Sequence, residues 1–162
     1  HGLFMKEVYI ISTGNIVRSK TAGAQRVMNV ARSLSAVNVN VYLCSLALIR
    51  REDLDCCQLD SGIFFLRSKE GKVNKSLQIS GFLQSVDRFM KTRSSDRVIY
   101  LYPTVFVIKD FFYFIYFKVF KRYRFFCDIN ELRVTNASPI TSSEKIPAKI
   151  LARLKSLSDY II

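Results

Sequence analysis

The chain has one histidine, and it is residue 1, ahead of the first methionine, Met5. A mechanism that leans on an imidazole therefore has no candidate inside the domain. Four cysteines (Cys44, Cys56, Cys57 and Cys127) make no CxxC pair and no metal-ligand spacing, which excludes a zinc ribbon or a dithiol redox motif and leaves no metal site to expect. They lie mostly among apolar neighbours and read as reduced thiols of a cytoplasmic protein. Glycine is scarce, at 6 residues, and no G-x-G-x-x-G occurs, so the nicotinamide-binding fingerprint is missing. There is no internal repeat and no low-complexity tract. Acidic residues are also few, 13 against 25 Lys and Arg, for a net charge of +12. Such a surplus favours a polyanion as partner: nucleic acid, an anionic membrane surface or a phosphorylated small molecule. The cations are spread along the chain, with no nucleic-acid-binding signature beside them, so nucleic acid is not an expected partner.

What remains is ample apolar material: 162 residues, 49% of them hydrophobic, enough for one globular domain with a sizeable core. That domain is expected over 5–162, with residues 1–4 read as the remnant of a tag. Short apolar runs predict strands at 7–12, 40–45, 63–67, 97–102, 124–129 and 160–162. Helical periodicity between them predicts helices at 23–37, 76–92, 106–122 and 147–158. Alternating strands and helices imply an α/β, Rossmann-like, doubly wound sheet, mostly parallel, with helices on both faces. The last run ends at Ile162 without a polar tail, which suggests one domain of a longer protein.

The stretch from Ser12 to Arg26 carries the first functional signal. It joins the first strand to the first helix through a loop containing Gly14, Arg18, Lys20, Ala22, Gly23 and Gln25. A loop of this order aims backbone N–H groups and a helix dipole at one spot, where Arg18 and Lys20 add mobile cations. An anion site is expected there. The second signal is aromatic. Residues 104–120 hold Phe106, Phe111, Phe112, Tyr113, Phe114, Tyr116, Phe117 and Phe120. Lys109, Asp110 and Lys118 interrupt them, so the stretch falls short of the ~20 apolar residues that cross a bilayer. A helix buried against the sheet explains the apolar content. A membrane-surface helix explains the rings on all its sides, with Phe112, Tyr116, Lys118, Lys121 and Arg122 as contacts.

Three segments resemble glycosyltransferase family 4. Residues 21–34, TAGAQRVMNVARSL, with 39–43, VNVYL, are similar to that family's opening loop, helix and second strand. Residues 127–133, CDINELR, resemble the segment after a later strand in bacterial polysaccharide members, and 154–162, LKSLSDYII, resemble the close of their amino-terminal domain. The resemblance covers nearly the whole chain. It implies the acceptor-side half of a GT-B enzyme, which transfers a sugar from a nucleotide diphosphate donor to a lipid-linked or polysaccharide acceptor. No essential metal or further cofactor is implied. The carboxyl-terminal, donor-binding domain would then be the missing partner. Carried over by position, Gly23 is the loop's second glycine, with Ala22 where the family has its first. Asn130 stands where some members place a histidine, and Glu131 would position or deprotonate the acceptor hydroxyl. As capping residues of a strand end, Asn130 and Glu131 need no ligand.

A second resemblance is local. Thr13-Gly14-Asn15-Ile16-Val17-Arg18-Ser19 looks like the phosphate loop of low-molecular-weight tyrosine phosphatases. That chemistry needs a thiolate at the loop start, where this chain has Ser12. A non-enzymatic module on an anionic membrane is a third reading, sharing the fold and the charge.

Overall fold

In the computed structural model, strand β1 (Glu7–Ser12) occupies the middle of a seven-stranded sheet and is buried at every residue. The structure describes residues 6–12, 14, 16–49, 53–68, 78–93, 96–102, 112–128 and 160–161. The other elements are α1 (Ala22–Ser35), β2 (Asn40–Ser45), β3 (Leu54–Asp60), β4 (Ile63–Ser68), α2 (Gln78–Lys91), β5 (Arg97–Leu101), β6 (Arg124–Cys127) and β7 (Tyr160–Ile161). A π-helix, Ile115–Phe120, precedes β6. The sheet order is β3-β4-β2-β1-β5-β6-β7, and every neighbouring pair is parallel except β3 with β4. This is the expected α/β, Rossmann-like sheet. The predicted helix at 147–158 and the predicted remnant at 1–4 lie outside the described residues.

Alternation along each buried strand sends side chains to two cores. On one face Val8, Ile10, Val41 and Leu43 meet Val27 and Ala31 of α1. On the other, Ile11, Ile99 and Phe125 meet Phe82 and Val86 of α2 and Phe117 of the π-helix. Helices therefore cover both faces, as right-handed crossovers require when the chain winds in opposite directions from β1. Tyr9, Tyr42 and Phe64 form a row across three strands, stacked at 4.9 and 5.2 Å between centroids. Such cross-strand ring pairs fix register as well as adding apolar burial.

Beneath that row is a buried charge. Glu7, 3% exposed, accepts from Arg93 Nε at 2.6 Å and from the Tyr9 hydroxyl at 2.7 Å. Arg93 also lies over the Tyr42 ring, 4.9 Å from its centroid. A carboxylate removed from water must be paired in this way, because an unpaired one costs several kcal/mol (roughly). The pair ties the start of β1 to the chain just beyond α2.

Strand β3 is absent from the sequence-based expectation. Its half-exposed residues and aspartates make a weak β pattern, and only pairing with β4 makes it a strand. It replaces the helix that would join two parallel neighbours, which is why one pair in the sheet is antiparallel. Gly62 turns the hairpin with φ 68°, and Val41 N donates to its carbonyl at 2.9 Å. A Cβ there would meet Ser35 Oγ at 2.6 Å, while that hydroxyl is already donating to the Ser61 carbonyl. Gly62→Ala is expected to destabilise by about 1–2 kcal/mol, the cost of a side chain in the left-handed region. Chemical denaturation reads this, and an unchanged midpoint would contradict it.

Asp87 of α2 fastens the π-helix to the core. Its carboxylate accepts from Lys91 at 3.0 Å, Lys121 at 3.2 Å and the Tyr123 hydroxyl at 3.0 Å. Burial by itself would raise this carboxyl, but hydrogen bonds from Lys91, Lys121 and Tyr123 outweigh it and hold the pKa below the usual carboxylate range. The stability it contributes is present above the unfolded value, near ~3.9, and is lost as pH falls through the lower folded value. Asp87→Asn should lower Tm at neutral pH, and its deficit against wild type should shrink as the pH drops below about 4. A deficit that stays constant with pH would refute the assignment.

Candidate functional site

Setting aside β3, the parallel strands numbered along the chain run 3-2-1-4-5-6, the order of dinucleotide-binding domains. From β1 the chain winds one way through α1; from β5 it winds the other way through the π-helix. Between β1 and β5 the connections diverge, and in sheets of this order a crevice is expected outside the carboxyl ends of such a strand pair. The loop from Ser12 to Thr21 starts at that crevice.

The loop is organised around one carbonyl. Gly14 O accepts from Ile16 N at 3.1 Å, Ser45 Oγ at 2.6 Å and Ser12 Oγ at 3.4 Å. Ser12 is 1% exposed and spends its hydroxyl on this contact. The position thus presents no open nucleophile of the kind a phosphatase loop needs. Gly14 itself is exposed, and a Cβ on it would meet nothing within 4 Å. The absent side chain leaves clear space beside the backbone at the mouth of the crevice.

Helix α1 starts cleanly because Thr21 caps it, its hydroxyl accepting from Ala24 N at 3.3 Å. The first intrahelical bond is Gln25 N to Thr21 O, 3.0 Å. The N–H groups of Ala22 and Gly23 precede any intrahelical acceptor and face the incoming loop. Arg18 and Lys20 are exposed in that loop. The structure therefore brings Gly14, Arg18, Lys20, Ala22 and Gly23 into one loop-and-helix-start unit. Gln25 lies further along, exposed beside a groove of about 570 Å³ that follows α1 and is floored by Ile16, Val17, Met28 and Leu59.

Across the crevice stands a group that the sequence reading did not single out. Asp128, 3% exposed, follows β6 and accepts from the Tyr100 hydroxyl at 2.7 Å and from Arg26 of α1 at 3.2 Å. Its backbone N donates to Leu101 O at 3.0 Å, holding it against β5. Burial and the bond to Asp128 push the Tyr100 phenol well above its ordinary value, so it stays a donor. The Arg26 side chain is 51% exposed; its guanidinium is oriented by Asp128 and keeps further donors for an anion. A carboxylate directly after an apolar run, at the carboxyl end of a parallel strand, is the signal that could have found it.

No family model and no curated protein matches this chain.

Asn130 and Glu131 lie outside the described residues, two and three positions after Asp128. The expected membrane-contact residues divide. Phe112 and Arg122 are exposed, Tyr116 and Lys118 are half-buried, and Lys121 turns inward to Asp87. Tyr113, Phe114 and Phe117 are buried in the core, so much of the aromatic content of this stretch is structural. Among the described residues, no helix is long and apolar enough to cross a membrane.

The loop, the helix start and Arg26 carry the cations and helix N–H groups that a phosphate-type anion calls for, and binding of such an anion there is the expected outcome. Titration with inorganic pyrophosphate should shift backbone resonances of Gly14, Arg18, Lys20, Gly23 and Arg26 while leaving β3 and β4 still. Reversing Arg18 and Lys20 to Glu should weaken binding about 30-fold or more, from roughly 1 kcal/mol for each of the two cations lost. Shifts scattered over the surface, or none, would remove the site.

Proposed function

We infer that this chain is the acceptor-side domain of a GT-B glycosyltransferase, moving a sugar from a nucleotide diphosphate donor to a lipid-linked or polysaccharide acceptor. The observation that carries the reading is the switch point in strand order at the β1–β5 junction. A capped helix start and a cationic loop stand on one side of it, and Arg26 of the same helix reaches over to Asp128 and Tyr100 on the other. The three segments resembling glycosyltransferase family 4 include both sides of it: 21–34 contains Arg26, and 127–133 contains Asp128 and leads into Asn130 and Glu131.

In this reading the donor diphosphate is neutralised by Arg18, Lys20 and the first N–H groups of α1. Asp128 does not react; it fixes Arg26. Glu131 takes the proton from the acceptor hydroxyl as it attacks the anomeric carbon, and the nucleoside diphosphate leaves. Asn130 orients the acceptor. The donor-binding partner domain supplies the other wall of the cleft. A cytoplasmic site of action accords with four cysteines outside any disulfide, two of which, Cys56 and Cys57, are adjacent and not fully buried.

The test is transfer of labelled sugar by the full-length protein that carries this domain. Glu131→Gln should cut kcat by about 100-fold or more, as for loss of a general base, with the donor KM little changed. Arg26→Ala should act chiefly on the donor KM. The 162-residue chain by itself should turn over no sugar nucleotide. Turnover by the chain alone, or a fully active Glu131→Gln enzyme, would overturn the reading.

A further inference from the structure

Exposed large apolar side chains are not scattered evenly over this molecule. Five are found among the described residues, and three of them, Phe112, Val119 and Phe120, belong to the short helical stretch before β6, at 50, 50 and 73% exposure. The same stretch sends Tyr113, Phe114 and Phe117 into the core. Its inner side therefore holds the domain together, and its outer side carries large apolar side chains that stay exposed. Two uncovered phenylalanines are costly in water, and a folded domain gains nothing from them.

Cations adjoin this apolar side. Residues 118–124, KVFKRYR, contain Lys118, Lys121, Arg122 and Arg124 and no acid. Lys121 is spent on Asp87, and Arg124 makes an exposed pair with Asp96 at 3.4 Å, which solvent screens. Arg122 is different. It is exposed, and its φ of 55° puts it in the left-handed region, where glycine is the ordinary choice. That conformation turns the chain sharply from the π-helix into β6. An arginine there carries a backbone cost that no contact among the described residues offsets.

We propose that the outer side of this stretch is a docking surface for an anionic lipid bilayer, with Phe112, Val119 and Phe120 entering the headgroup–acyl boundary and Lys118, Arg122 and Arg124 meeting lipid phosphates. Apolar rings beside a cationic strip, on a chain of net charge +12, match the chemistry of such an interface. The geometry leaves the crevice clear. Arg122 and Arg124 lie where β6 begins, whereas the crevice is at the carboxyl ends of the strands. The proposal does not depend on sugar transfer, and its test requires no sugar.

The full chain is sedimented with vesicles of phosphatidylcholine alone and of phosphatidylcholine with phosphatidylglycerol. It should partition onto the anionic vesicles only, and less as salt is raised. Phe112→Ser with Phe120→Ser should weaken that partition about ten-fold or more, since both sites are exposed and the core is untouched. Arg122→Gly separates binding from folding. It relieves the left-handed backbone, so Tm should hold or rise, while partition falls about five-fold for one lost cation. Equal partition of wild type and the double phenylalanine variant would overturn the proposal. So would equal binding to both vesicle types, no binding, or a patch whose removal abolishes self-association without touching lipid.

Discussion

A strand buried along its whole length must have both neighbours and both faces supplied by the rest of the chain. β1 is such a strand, and most of the architecture follows from meeting its needs. Its ladder bonds go to β2 on one side and β5 on the other, both parallel. Parallel neighbours require long crossovers, and these place α1 on one face and the other helices on the opposite face. Its one carboxylate, Glu7, cannot stay buried without a cation, so Arg93 is held at the strand's foot. Its last residue, Ser12, must spend its hydroxyl, and it does so on the carbonyl that shapes the loop. The crevice is thus a by-product of burying β1: two crossovers leaving in opposite directions cannot also cover the strand ends.

Three of the acidic residues are used in one consistent way. Glu7, Asp87 and Asp128 are each nearly buried and each bound to a basic side chain, Arg93, Lys91 with Lys121, and Arg26. Glu7–Arg93, Asp87–Lys121 and Asp128–Arg26 each join segments distant in sequence, while Asp87–Lys91 lies within α2. Carboxylates that act as fasteners are withdrawn from the surface, so the basic surplus is what solvent and partners meet. The loop before α1 and the stretch before β6 express that surplus at opposite ends of the sheet. One joins cations to a helix start; the other joins them to exposed rings. The first arrangement suits a compact anion and the second an extended anionic surface.

Sequence and tertiary structure divided the work according to range. Periodicity placed β1, β2 and α1 to within two residues, because a buried strand and a one-sided helix each leave a local pattern. Fold class followed from the order of those patterns, and the loop at Gly14 from its position between the first two. β3 left no such pattern, since an edge strand of aspartates and half-exposed residues is made by its pairing partner. The Arg26–Asp128 contact spans 102 positions and has no local trace. In the aromatic stretch the sequence determined how many rings there are. Only the tertiary structure decided that Phe117 is core while Phe120 is surface, because side-chain direction depends on the π-helical winding and on which face the sheet occupies.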